Sequence, residues 1–197
     1  MSRCKQLWAT DLEAINIMKY LLSMAALTAA VVSSAQRMPT VDYTVSGSSG
    51  NWTLDFNVTN NFLQGEGNLY FFGVLLSSGP GIVGSPTNWD PNSWPTWDNT
   101  PYGGSSTIYN NNWINFTGVN NITPGTSLSG FQVTSTDVIA PTNVQWFAFG
   151  IDGTYGGNDN FNNPSNPGFE GVANAVPEPA TMAVVGLGVA ALLRRRR

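Results

Sequence analysis

The side chains between residues 38 and 176 that could do acid–base chemistry are all carboxylates. This segment has no Lys, Arg, His or Cys, and nine acidic residues give it a formal charge of −9, whereas the whole chain has a net charge of −4. Nucleophilic catalysis by Ser or Thr normally needs a His or Lys base, so this class of enzyme is disfavoured. Nucleic-acid binding is excluded, because no basic side chain is present to neutralise phosphates.

A pair of carboxylates could still hydrolyse glycosidic bonds if the two groups lay about 5 to 9.5 Å apart. The candidates are Asp55, Glu66 and Glu170. The alternative is that these acids hydrate exposed faces and turns, and Asp55 does occupy a polar position of an alternating strand. The sequence therefore favours a protein that is not an enzyme, with a carboxylate-dependent glycosidase as an alternative.

Calcium is the one cofactor for which the segment offers suitable ligands. Asp152, Asn158 and Asp159 lie in a Gly-rich region, and hard cations take carboxylate and amide oxygens. The spacing does not match an EF-hand, and Asn, Asp and Gly in this arrangement are more typical of ordinary turns. These three residues are candidate calcium ligands, and the turn interpretation is favoured.

Three tryptophans form the second group with binding potential. Trp89, Trp94 and Trp97 lie within a Trp-rich segment, residues 77–112, that is also rich in Gly, Pro, Asn and Ser. Exposed tryptophans could stack on sugar rings and make the protein a carbohydrate-binding module. The alternative is that they fold back over the core, because exposed tryptophan clusters promote aggregation.

Strands must position all of these side chains. Thr, Val, Phe and Trp are enriched, and short apolar or alternating runs are separated by Gly, Asn and Pro. The predicted strands are 41–45, 52–58, 69–76, 114–117, 131–134 and 144–151. The pattern predicts an all-β domain over residues 36–171, an antiparallel sandwich or jelly-roll, with runs 69–76 and 144–151 covered on both faces.

The N-terminus predicts export. Residues 18–35 have a positive start, an apolar run and small residues before a cleavage point after Ala35, as in a secretory signal peptide. Residues 1–17 contain Asp11 and Glu13 and fit poorly in front of such a signal. We interpret them as an upstream extension of the reading frame, so that Met18 is the start; a long n-region is the alternative. The expected partners are the secretory translocon and signal peptidase.

The C-terminus, residues 172–197, combines a linker with three elements in order. Val176, Pro177, Glu178 and Pro179 are followed by an apolar stretch, residues 182–193, and then by a basic stop. The basic stop is formed by Arg194, Arg195, Arg196 and Arg197. Arginine clusters stay on the cytoplasmic side of a membrane. Residues 180–193 would rise only about 21 Å as a helix, against about 30 Å of hydrocarbon, so we expect a short transmembrane helix and transient anchoring.

This arrangement closely resembles the PEP-CTERM sorting signal of Gram-negative bacteria. The resemblance implies processing by an exosortase, an integral-membrane cysteine transpeptidase, and a producer of extracellular polysaccharide. We therefore expect an exported, non-catalytic cell-surface or extracellular-matrix protein, transiently anchored in the inner membrane, with a link to exopolysaccharide or biofilm. The carbohydrate-binding module and the glycosidase are the alternatives.

Overall fold

A computed structural model describes residues 37–158, 161 and 163–176 of the chain. The predicted upstream extension, the signal peptide, the Pro-Glu-Pro residues, the short transmembrane helix and the arginines lie outside the described residues. Within the described part, the chain contains no helix that is both long and apolar enough to cross a membrane.

Eleven strands and one short 3₁₀ turn make up the regular structure of the described residues. The strands are β1 Thr40–Ser48, β2 Asn51–Thr59, β3 Asn68–Leu75, β4 Ile82–Gly84, β5 Asp90–Pro91, β6 Trp97–Asp98, β7 Ile108–Tyr109, β8 Asn111–Ile114, β9 Ser127–Ser135, β10 Asn143–Ile151 and β11 Gly168–Ala175. Nine of them form one sheet in the order β4-β9-β2-β1-β11-β10-β3-β8-β5, and β6 pairs with β7. The prediction of an all-β fold is confirmed.

The strand patterns fold as their periodicity predicts. β1 and β2 form a hairpin that is closed by the Ser48–Asn51 pair, with Ser49 and Gly50 as its turn. Gly50 in the turn and Gly47 near the end of β1 both have positive φ. The two apolar runs are the neighbouring strands β3 and β10, which are buried on both faces along most of their length. Side chains of a strand alternate between faces, so a run that is apolar at every position needs cover on both sides.

The arrangement of the strands differs from the prediction. Nine of them form one curled sheet that approaches a barrel, where a sandwich of two large sheets was expected. β1 and β11 pair in parallel, with Asp42 opposite Asn174 and Tyr43 opposite Ala175, so the sheet is not purely antiparallel. Alternation specifies which face a side chain occupies but not which strand lies beside it.

Two predicted boundaries are also corrected. Residues 172–175 belong to β11, between β1 and β10, and are not a linker, because their backbone groups pair with both neighbours. A strand was predicted over residues 114–117, but β8 covers Asn111–Ile114, so Phe116 lies after the end of the strand. The Trp-rich segment holds the short strands β4 to β7 and the start of β8, although its sequence shows no strand periodicity.

Aromatic side chains fill the inside of the curled sheet. The Phe72 ring on β3 lies 6.0 Å from Phe56 on β2 and 5.1 Å from Phe131 on β9. The two ends of the sheet come close where Trp113 of β8, the strand next to the edge strand β5, donates its indole N–H to the Gly84 carbonyl of the edge strand β4, at 3.1 Å. This inner core fixes the strands whose opposite face carries the candidate site.

Candidate aromatic surface and the sorting motif

A second apolar cluster covers the outer face of β3 and β10. Phe71, Phe147 and Phe149 are buried there, and they alternate with Phe72 and Ala148, which face the inner core. The rings of Phe71 and Phe147 meet edge to face at 4.8 Å. Without cover, this row would expose several aromatic side chains to water, so it needs another part of the chain above it.

The Trp-rich segment supplies that cover. Trp97 packs edge to face on Phe71 at 4.5 Å, and Trp94 contacts the same ring at 5.4 Å. Both indoles are half-buried, and they lie 5.1 Å from each other. The alternative predicted from the sequence, that the tryptophans fold back over the core, therefore holds for the side of Trp94 and Trp97 that packs on Phe71.

Two further rings extend the cluster to the solvent. Tyr102 is 49% exposed and stacks on Trp97 at 5.4 Å with an interplanar angle of 11°. Phe116 is 62% exposed and contacts Trp94 at 6.1 Å. We call Trp94, Trp97, Tyr102 and Phe116 the aromatic surface. No pattern in the sequence indicates that Phe116 belongs to it, because Phe116 lies outside the Trp-rich segment and follows the end of β8.

Trp89 lies elsewhere. It is only 3% exposed, and its ring meets Phe131 of the inner core edge to face at 5.0 Å. Its indole N–H donates to the Asn120 carbonyl at 3.0 Å. Both faces of the ring are therefore inside the protein, and the prediction that Trp89 stacks on a sugar is corrected. Along the chain, Trp89 lies between β4 and β5, the two edge strands of the large sheet, and it packs in the inner core.

Glu170 on β11 holds the aromatic surface in place. Its Oε1 accepts hydrogen bonds from Asn99 Nδ2 at 2.7 Å and Ser105 Oγ at 3.0 Å, and its Oε2 accepts one from Ser105 N at 2.9 Å. Asn99 is fully buried, and its Oδ1 accepts from the Trp97 indole N–H at 2.6 Å. The pKa of Tyr109 is raised by burial and, to a smaller extent, by the nearby Glu170 carboxylate.

The other two candidate glycosidase acids belong to separate hydrogen-bond networks. Asp55 on β2 accepts from Gly130 N at 3.0 Å and Gln132 Nε2 at 2.8 Å, and so supports the bulged pairing with β9. Glu66 is a buried residue of the loop that connects β2 to β3, and it accepts hydrogen bonds from Leu63 N at 2.8 Å and Gly156 N at 3.0 Å. Each of the three acids thus has a structural role in its own part of the sheet.

The candidate calcium ligands lie only partly within the described residues. Asp152 is an exposed turn residue after β10 with φ of 62°, a conformation that Asn and Asp tolerate better than most residues. Asn158 is exposed, and Asp159 lies outside the described residues. Among the residues that the structure describes, no group of three or more His, Cys, Asp or Glu is placed to hold a metal ion.

The chain leaves the sheet at Val176, whose N–H donates to the Tyr43 carbonyl at 2.8 Å. Pro177, Glu178 and Pro179 follow directly. Residues 175–197 match the family model of the PEP-CTERM protein-sorting motif. The tail is a PEP-CTERM sorting motif. No curated protein and no solved structure matches the chain.

The PEP-CTERM match begins at Ala175, the last residue of β11. The sorting motif therefore follows the sheet without an intervening segment. The motif supports export, membrane-associated sorting and processing by an exosortase-type enzyme, as the sequence predicts.

Proposed function

We propose that this protein is a non-catalytic β-domain that is displayed outside the cell, at the surface or in the extracellular matrix, after exosortase processing. The PEP-CTERM motif carries the proposal, because it begins where β11 ends and leaves the whole sheet on the exported side. The translocon and signal peptidase act on residues 18–35, and the tail then anchors the chain transiently in the inner membrane. A matrix role links the protein to exopolysaccharide and biofilm.

The intact mass of the protein from the membrane fraction and from the culture supernatant tests this route. We expect the extracellular form to lack both the signal peptide and the four terminal arginines. A Glu178→Ala variant should accumulate in the membrane fraction with its arginines, whereas Asp90→Asn, an exposed acid on β5, should be processed normally. An extracellular form that retains the arginines contradicts the proposal.

The non-catalytic part of the proposal is supported by the three candidate acids. Asp55, Glu66 and Glu170 each accept hydrogen bonds within the fold and lie in separate networks. A glycosidase needs two carboxylates that flank one bond of the substrate. Turnover of any polysaccharide by the purified domain would refute this part of the proposal without affecting the sorting route.

Carbohydrate binding by the aromatic surface is the second candidate. Tyr102 and Phe116 are 49% and 62% exposed, and they lie beside the half-buried Trp94 and Trp97. Aromatic rings of this kind stack on the apolar faces of sugars. The formal charge of −9 on residues 38–176, without a basic side chain, disfavours acidic polysaccharides and favours neutral ones.

A glycan array with the purified domain tests this candidate. If one ring stacks on the sugar, Tyr102→Ala should weaken binding by about two- to thirteenfold, since aromatic stacking is worth about 0.5 to 1.5 kcal/mol. Leu63→Ala, which alters an apolar side chain of similar exposure at 56%, is the control. Equal binding by Tyr102→Ala, Phe116→Ala and the unchanged domain would exclude the aromatic surface as the binding site.

A further inference from the structure

The loop between β9 and β10, residues 136–142, carries an apolar tip. Val138 is 77% exposed and Ile139 is 80% exposed, which is more than any other large apolar side chain of the described residues. Single exposed apolar residues are normal on a protein surface, but two adjacent ones at a loop tip present a continuous apolar point. A partner that buries these two side chains would remove their apolar surface from water.

The loop is held rigidly with its tip outward. The Asp137 carbonyl accepts hydrogen bonds from Gly50 N at 2.9 Å and from the Trp52 indole N–H at 3.0 Å. The Val138 carbonyl accepts one from Ser49 Oγ at 2.8 Å. These bonds tie the backbone of the loop to the β1–β2 hairpin, and they hold it in a conformation in which the Val138 and Ile139 side chains lie in solvent.

The same loop lies beside the point where the chain leaves the sheet. The Thr142 carbonyl accepts a hydrogen bond from Ala175 N at 3.2 Å, and the Pro141 carbonyl accepts one from the Tyr43 hydroxyl at 2.9 Å. Tyr43 in turn accepts from Val176 N. The apolar tip and the start of the sorting motif are therefore at one end of the sheet.

The length of the tail limits how far this end can be from a membrane. Only five residues lie between Val176 and Met182, the first residue of the apolar stretch, so six Cα–Cα steps join them. A fully extended chain of that length spans about 20 Å. While the apolar stretch is in the bilayer, the end of the sheet that carries Val138 and Ile139 must therefore stay close to the lipid surface.

We propose that the β9–β10 loop inserts Val138 and Ile139 into the lipid surface while the chain is anchored by its tail. This inference rests on the proposed retention by the PEP-CTERM tail. The partner is lipid and the attraction is apolar, because residues 38–176 contain no Lys or Arg to bind anionic headgroups. The carboxylate of Asp137 lies at the base of the loop, so repulsion from anionic headgroups should weaken the contact between the loop and the lipid. Added salt should not weaken this contact, because the attraction is apolar.

The test uses the full chain, with Cys4→Ser, inserted through its tail into phosphatidylcholine vesicles. A cysteine at Ile139→Cys carries an environment-sensitive fluorophore, since residues 38–176 have no other cysteine. The control is Val119→Cys, which is 59% exposed in the loop between β8 and β9, at the opposite end of β9. Thermal melting of both labelled chains verifies that the fold is unchanged.

We expect blue-shifted emission and quenching by spin-labelled lipid at position 139 but not at position 119. A second variant combines Val138→Asn and Ile139→Asn, and its fluorophore is moved to Ala140→Cys. These substitutions should lower the ratio of inserted to free loop at least about tenfold, because each apolar side chain that enters hydrocarbon contributes about that factor. Equal quenching at 139 and 119, or quenching that depends on protein density in the vesicle, overturns the proposal.

A protease-protection assay on the terminal arginines distinguishes a failure of the loop contact from a failure of the proposed anchoring by the tail. If the tail is inserted and the label at 139 stays in water, the loop contact is refuted and the sorting route stands. If the tail does not insert into vesicles, the anchoring itself is refuted, and the loop contact is refuted with it.

Discussion

Replacing Glu170 by glutamine should loosen the segment that carries the aromatic surface. The carboxylate accepts hydrogen bonds on both oxygens, from Asn99 and from the backbone and side chain of Ser105. A glutamine amide keeps the size of the side chain but replaces one acceptor oxygen with an NH₂ donor. In either orientation that donor faces another N–H, from Asn99 Nδ2 or from Ser105 N.

The expected loss of stability follows from these contacts. A hydrogen bond to a charged group contributes about 1.5 to 3 kcal/mol, and an unsatisfied buried donor costs about 1 to 3 kcal/mol. Glu170 is partly open to water, which lessens the loss, whereas the fully buried Asn99 cannot turn its amide to solvent. We expect Glu170→Gln to lower the free energy of unfolding by about 2 to 3 kcal/mol, or the Tm by about 6 to 12 °C for a domain of this size.

Thermal unfolding of residues 36–176, followed by tryptophan fluorescence, measures this effect. Asp90→Asn is the matched control, because it removes the same charge from an exposed side chain on β5. Its Tm should stay within about 2 °C of the unchanged domain, as expected for a surface substitution. If Glu170→Gln and Asp90→Asn shift the Tm equally, Glu170 does not hold the Trp-rich segment and the argument fails.

Two further predictions concern the inner core and the loop between β2 and β3. Burial raises the pKa of Tyr43 from 10.0 to about 12. The contribution of Tyr43 to the free energy of unfolding should therefore be constant below pH 10 and fall by about 1.4 kcal/mol per pH unit between pH 10 and pH 12. Urea unfolding of Tyr43→Phe between pH 9 and 11.5 should show a shallower fall, and an unchanged slope would rule out this origin. Gly67 has φ of 112°, and a Cβ there would lie 2.6 Å from the Ile151 carbonyl oxygen, whereas Gly65, at φ of 89°, faces open space. Gly67→Ala should therefore destabilise the domain by about 1 to 3 kcal/mol more than Gly65→Ala, and equal urea midpoints would contradict the predicted clash.

The three tryptophans show what local sequence leaves open. Trp89, Trp94 and Trp97 lie within nine residues and have similar polar neighbours, so the sequence groups them in one candidate site. The structure places Trp89 in the inner core and the other two on the outer cluster of β3 and β10. Trp89 lies between the edge strands β4 and β5, whereas Trp94 and Trp97 follow β5 along the chain. The places of β4 and β5 in the sheet are set by pairing between residues that are far apart in the sequence.

The same reason explains the missed boundary before the sorting motif. Residues 172–175 are mostly small and lie just before the Pro-Glu-Pro motif, where a linker was predicted, but β1 and β10 pair with them on both sides. Phe116 is a similar case, because its contact with Trp94 requires the Trp-rich segment to return to the end of β8. Neither contact leaves a periodic pattern in the sequence.

The sequence by itself determined the all-β class, the turns of the first hairpin, the two strands covered on both faces and the PEP-CTERM tail. These features depend on residue type and local spacing, which the chain carries before it folds. Only the tertiary structure decided the sheet order, the parallel pairing of β1 with β11, the members of the aromatic surface and the position of Val138 and Ile139 beside the exit of the chain. Those features depend on contacts between distant residues, and their free energy comes from burying apolar area that no local pattern assigns to a partner.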